Sequence, residues 1–259
     1  MKEAYSSLSN LFSTNSTFFN IIHKVSSKPY KIFYAGLIPK PIRKWLERKA
    51  DLSQQNHVAH CWKKIISLYI KEELDEIIIT PKKDLKDKKI IWKYWGQGWD
   101  SESLPDVVKI CSCSVQMNKG DYEVIYLDDQ NISEYIEFPD FIYEKRKNTH
   151  FRHVFFSDLL RLALLKVYGG VWVDATILFT TPIPEQLGAS DFFMFYRNSD
   201  VINKAKWQNL NKEYFSWDKR NRVNVLNSFI ISKKENVTIR ILLQLLLLFW
   251  KTQKDIPHY

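Results

Sequence analysis

The chain has 259 residues, 45% apolar and 15% aromatic, enough to bury one substantial core, which excludes a disordered protein. Its formal net charge of +9 is regional: residues 1–64 hold 11 Lys and Arg against 3 acids, and the remainder 27 against 26. A pI of 9.2 without basic residues spread along a groove-facing element or a recognisable module argues against nucleic-acid binding.

Residues 1–53 read as short helices and loops punctuated by Pro29, Pro39 and Pro41. This segment mixes Phe12, Phe18, Phe19, Ile21, Ile22, Ile32, Phe33 and Tyr34 with Lys24, Lys28, Lys31, Lys40, Arg43, Lys44, Arg48 and Lys49. That composition suits either an anionic membrane surface or a solvated basic region packed on a core. From His57 the apolar positions Val58, Trp62, Ile65, Ile66 and Tyr69 predict an amphipathic helix to about Glu76, followed by a lysine-rich linker over 81–89. The expected organisation is therefore a basic, mostly helical extension over 1–85 and a catalytic domain over 86–259.

Residues 89–95 predict a strand closed by Gly96-Gln97-Gly98, and a helix is expected to start near Leu104-Pro105. Cys111 and Cys113 read as two thiols on a helix or strand, since Cys-x-Cys lacks the second ligand pair of a zinc site. With Cys61 they make an odd number, no apolar leader precedes them, and a reducing cytoplasm is the expected setting. A second strand is expected over 122–127, then a helix over 156–168 with Ser157 as N-cap and Gly169 as its stop, then a strand at 171–174. Further strands are expected at 192–196 and 228–232. This alternation predicts an α/β sheet of mostly parallel order. The apolar run 239–250, interrupted by Arg240 and Gln244, is too short to span a bilayer and reads as a buried or interfacial helix.

Four of only seven glycines, Gly96, Gly98, Gly169 and Gly170, sit in two pairs beside predicted strands, which marks those places for a site. Asp158 and Arg161 lie three apart and share a helix face, while Leu159, Leu160, Ala163, Leu164 and Val167 line the core side. On the predicted capping, the pair stands at a helix N-terminus, where phosphate is attracted and the Arg161 fork can meet it. On the strand after Gly170, Trp172 and Asp174 project from one face, and Val171 and Val173 from the other. Asp174 thus arrives at the strand edge where open α/β sheets bind ligands.

This linked pattern of Ser157, Asp158, Arg161, Gly169, Gly170, Trp172 and Asp174 resembles the capsular polysaccharide synthesis glycosyltransferases. More distantly it is similar to the family-32 sugar transferases and the clostridial glucosylating toxins, the likeness covering about residues 88–235. The resemblance implies a GT-A-like, Rossmann-type mixed, mostly parallel sheet flanked by helices, with an N-terminal helical extension. It implies transfer of a sugar, with retention of configuration, from a nucleotide diphosphate donor, UDP-linked by expectation, to a growing and lipid-linked surface polysaccharide. The setting would be the inner face of the cell membrane, and the composition of the basic N-terminal region, outside the likeness, is what would supply peripheral attachment. Asp158 and Arg161 would hold the donor sugar and its phosphate, and Asp174 would face ribose, sugar and a Mn²⁺ or Mg²⁺ ion. Trp92 matches an aromatic near the donor base, and Tyr94 shares its strand face. Asn227 and Ser228 fall where such enzymes place polar donor or acceptor contacts.

Thr176 stands where the second aspartate of Asp-x-Asp is expected, and a neutral hydroxyl is a poor ligand for these hard cations. More of the leaving-group charge would then fall on Arg161, the helix N-terminus, Arg152 and His153. Similar enzymes continue beyond a segment like Asp255-Ile256-Pro257-His258-Tyr259, so the chain is expected to end early. Thr176 and that ending also fit a different class, a degenerate transferase serving as a scaffold without turnover.

Overall fold

The computed structural model describes residues 8–9, 11–12, 15–86, 88–100, 102–211 and 215–253, so the segment 255–259 lies outside the described residues. In chain order the elements are helices α1 (Thr17–Ser26), α2 (Lys31–Leu37) and α3 (Lys40–Ile70), strands β1 (Thr80–Pro81) and β2 (Ile90–Tyr94), α4 (Asp106–Met117), β3 (Glu123–Leu127), β4 (Ile136–Glu137) and α5 (Asp140–Arg146). They continue with α6 (His153–Val167), β5 (Gly170–Val173), α7 (Glu185–Gly188), β6 (Phe192–Tyr196), α8 (Lys204–Leu210), β7 (Val225–Ser232) and α9 (Val237–Thr252). The protein is thus a mixed α/β chain with a helical N-terminal region. Two compact units are formed: one from 1–75, 197–224 and 252–259, the other from 76–196 and 225–251.

In the first unit, α1 and α2 are the short helices expected there, but Pro39 and Pro41 start a long helix where a loop was expected. Pro39 is the N-cap of α3 and Pro41 lies in its first turn, where no intrahelical N–H is needed, so a 31-residue helix runs from there. It ends at Ile70, short of the expected Glu76, where Glu72 turns into the left-handed region. Helix α1 begins at Ser16, whose Oγ accepts from the Phe19 N–H at 3.1 Å. Arg48 of α3 pairs with Asp218 at 3.2 Å and also donates to the Asn221 side chain, which ties the 197–224 segment to that helix.

The second unit is built on a five-stranded sheet of order β3-β2-β5-β7-β6. Pairs β2–β3 and β2–β5 are parallel, and pairs β5–β7 and β7–β6 antiparallel, so the sheet is mixed with half its pairings parallel. Register sets Trp92 beside Trp172 and Val173 beside Phe229. Ile91, Val115, Val171, Val173, Phe229 and Ile231 form one buried cluster, while α6 packs on β5 and β7. In α9 the buried Gln244 amide donates to Ile77 O at 2.7 Å and accepts from Ile77 N at 2.8 Å, so both polar ends of a residue in an apolar run are paired. Among the described residues no helix is long and apolar enough to cross a membrane.

Candidate active site

Helix α6 starts one turn earlier than its capping signal suggested. Phe155 and Phe156 are buried against Trp250, Tyr94 and Phe138, and that burial draws them into the helix, leaving Arg152 as N-cap. Ser157 is therefore interior, and Asp158 and Arg161 stand in the second and third turns, not at the helix N-terminus. The other end matches expectation: Gly169, at φ 73°, donates to Leu165 O at 3.0 Å and reverses the chain. Gly170 follows at φ 101°, and a Cβ there would stand 2.6 Å from Ile90 O. Only glycine lets β5 enter between β2 and β7 directly from the helix.

This tight junction brings Asp158, Arg161 and Asp174 together. Arg161 Nη2 lies 3.0 Å from Asp158 Oδ1 and 3.5 Å from Asp174 Oδ1. Its Nε donates to Ser157 O at 3.3 Å, Nη1 donates to Asn227 O, and Nη2 lies 3.4 Å from Ser157 Oγ. The guanidinium also lies 5.3 Å from the Trp172 ring centre. With a side chain only 5% exposed and its donors turned inward, Arg161 is not the open phosphate fork expected from sequence. It is a buried clamp between two carboxylates.

The carboxylates are the accessible part of the cluster, at 23% exposure for Asp158 and 31% for Asp174. Asn227 Nδ2 donates to Asp158 Oδ1 at 3.3 Å, and the Trp172 indole N–H donates to Asp174 Oδ1 at 2.6 Å. Among the described residues no partner is found for Oδ2 of either aspartate, so each has an oxygen available to accept from a hydroxyl. Burial pushes the Asp158 carboxyl above the usual range; Arg161 opposes that rise and Asp174 adds to it. Ser228 contributes through its backbone, its carbonyl accepting from Asp174 N at 2.9 Å.

Trp92 and Tyr94 are not brought to this cluster. Trp92 is fully buried, donates its indole N–H to Gly169 O at 2.9 Å and packs against Tyr135 and Tyr168, so it braces the glycine turn from inside. Tyr94, also buried, donates to Asp129 Oδ1 at 2.7 Å, and burial with that bond pushes its hydroxyl pKa up. Both face inward because every residue of β2 is covered.

Lys93, between them, is a site residue that the sequence reading missed, although a lysine inside Ile90-Ile91-Trp92-Lys93-Tyr94 is itself a signal. It is fully buried, with Nζ 3.3 Å from Asp174 O and 3.5 Å from Ala175 O, directly behind the carboxylate-bearing turn. Burial lowers its ammonium to about 8, against the opposing pull of Cys111 and Asp174. Asp174 O also accepts from Ile177 N at 3.0 Å, which closes the turn.

Arg152 and His153 stand apart from the carboxylates. They line a 610 Å³ cavity with Asp129, Arg146 and Phe156. In this cavity Arg146 pairs with Asp129 at 2.6 Å and the His153 ring nitrogen lies 3.4 Å from the same carboxylate. Arg161 is about 12 Å further along the helix axis.

Around Asp174 the described residues supply no protein cage for Mn²⁺ or Mg²⁺. Asp174 Oδ1 already accepts from Trp172 and faces Arg161, Thr176 offers a neutral hydroxyl, and no three Asp, Glu, His or Cys residues converge among the described residues. Cys111 is buried and Cys113 exposed on α4, so this pair forms no joint ligand set.

A family model for capsular polysaccharide synthesis protein matches residues 42–259, which include the whole candidate site. No curated protein matches the chain.

Proposed function

The chain belongs to the capsular polysaccharide synthesis family, with a role in capsule biosynthesis, and on that premise we propose that it is a glycosyltransferase using a nucleotide diphosphate sugar, UDP-linked by expectation. The observation that carries the proposal is the bridge of Asp158 and Asp174 by one buried guanidinium, with an oxygen of each left available. Two fixed carboxylates of this kind accept hydrogen bonds from sugar hydroxyls and hold the ring in a single orientation.

In the proposed reaction the anomeric carbon loses its bond to the diphosphate oxygen and gains one to an acceptor hydroxyl, with retention of configuration. The hydroxyl proton leaves to the departing phosphate. Asp158 and Asp174 position the sugar, and Arg161 and Trp172 hold the carboxylates, with the Arg161 guanidinium the one cation of this cluster that faces them. The acceptor in this reading is a lipid-linked saccharide, and no step passes through a metal.

A panel of nucleotide sugars tested by thermal shift, with and without Mn²⁺, on the wild type and Asp174→Asn examines this reading. Stabilisation of the wild type and its loss in the variant are expected, together with loss of transfer; a total lack of stabilisation by any donor would count against a donor site. The inward engagement of Arg161 and the presence of Thr176 favour a second reading, a transferase-like scaffold that does not turn over. Donor hydrolysis or transfer eliminates it.

A further inference from the structure

The first unit carries a surface that the proposed transfer does not use. Helix α2 buries only Tyr34 and exposes Ile32 (81%), Phe33 (70%) and Leu37 (81%). Phe33 and Leu37 are four apart and share a flank of the helix. Tyr30 just before it, and Ile42 and Trp45 in the first turns of α3, are exposed by 48%, 49% and 55%. Six large apolar side chains thus face solvent within residues 30–45, a density that marks an interaction surface and not scattered surface residues.

Charge identifies the partner. Lys24, Lys28, Lys31, Lys40, Lys44 and Lys49 are exposed, and Glu47 is the only acid in 28–49. The two arginines of this stretch are occupied: Arg48 pairs with Asp218, and Arg43 donates to Ile38 O at 3.0 Å. The lysines have no ion pair among the described residues, and Lys49 Nζ sits 4.0 Å from the Trp45 ring centre. Lysine is depleted in protein–protein interfaces, whereas aliphatic and aromatic side chains ringed by lysines match an anionic bilayer surface. Most of this surface precedes residue 42, where the family match begins.

We propose that α2 and the start of α3 dock the protein on an anionic lipid surface, with Ile32, Phe33 and Leu37 in the headgroup–acyl boundary and the surrounding lysines on lipid phosphates. No helix among the described residues crosses a membrane, so attachment is peripheral. The inference rests on the first unit alone and stands independently of the transfer reading.

Co-sedimentation of the full chain with phosphatidylcholine vesicles, with and without phosphatidylglycerol, tests it. Binding is expected to be at least about tenfold stronger to the anionic vesicles and to fall with salt. Phe33→Glu with Leu37→Glu should abolish binding at unchanged Tm, since both side chains are exposed, and Lys28→Gln with Lys31→Gln should weaken it. Transfer to a soluble acceptor should be unchanged in these variants, so failure of vesicle binding and failure of the transfer reading are separate results. Absence of pelleting, pelleting insensitive to the Glu substitutions, or a dimer in light scattering that these substitutions dissociate without any vesicle binding would each overturn the proposal.

Discussion

Trp172 donates its indole N–H to Asp174 Oδ1 across 2.6 Å, fixing the carboxylate just past the C-terminal end of the central strand β5 from a residue two positions earlier. This bond is the nearest constraint on where Asp174 points. Trp172→Phe keeps most of the buried ring and removes the donor. A fall in kcat of about 10- to 100-fold is expected, with a smaller change in KM, since a misaimed positioning group loses more in the transition state than in the ground state. A rise in KM at constant kcat would show that the bond only aids ground-state binding.

Removing the clamp should expose the repulsion that it masks. In Arg161→Met, Asp158 and Asp174 lose their shared cation and Asn227 O loses its donor, so a loss of about 3–5 kcal/mol is expected. Burial already raises the Asp158 carboxyl against the opposing pull of Arg161, so without that arginine it titrates in the folded state further above its unfolded value. Stability is then retained at low pH and lost as pH rises, so denaturant melts should show a deficit that is smaller near pH 4 than at pH 7. A pH-independent deficit would contradict the clamp.

Lys93 gives a prediction of opposite sense. Its folded pKa of about 8 lies below the usual 10.5, so the unfolded chain binds the proton more tightly, and wild-type stability gains from this residue as pH rises from about 8 to 10.5. Below pH 8 the full penalty of burying the charge remains. Lys93→Met removes the group, so wild-type stability relative to the variant should increase by about 3 kcal/mol across that window. A constant difference would show that Lys93 titrates normally.

Gly170→Ala combines a left-handed φ of 101° with a Cβ 2.6 Å from Ile90 O, a backbone atom held in the sheet. A loss of at least about 1–3 kcal/mol is expected from the backbone strain. Chemical denaturation reads it, and an unchanged midpoint would mean that the β2–β5 junction has more room than its geometry implies.

Much of the site was legible because its relations are local. A spacing of three on a helix brings Asp158 beside Arg161. Strand alternation puts Trp172 and Asp174 on one face, and paired glycines at a helix–strand junction announce a backbone that other residues rarely adopt. Proline was misread before α3, because the residue that breaks a helix in its interior is well suited to its first turn. The start of α6 was misplaced because Ser157 is a good cap in isolation, while burial of Phe155 and Phe156 outweighs that preference.

Sequence by itself determined the α/β alternation and the regional charge, which follow from composition and short-range periodicity, while the motif residues were marked by their resemblance to a known family. The tertiary structure alone decided what each of those residues faces. Arg161 is inward because the Asn227 carbonyl, 66 positions away, arrives on β7 to receive it. Trp92 is a brace because Gly169 O lies above it, and Lys93 is a site residue because Asp174 and Ala175 turn over its ammonium. Ile32, Phe33 and Leu37 became a surface for the converse reason, that no described residue covers α2 on that side. Burial is a property of distant pairings, and short-range patterns do not encode which distant element supplies the cover.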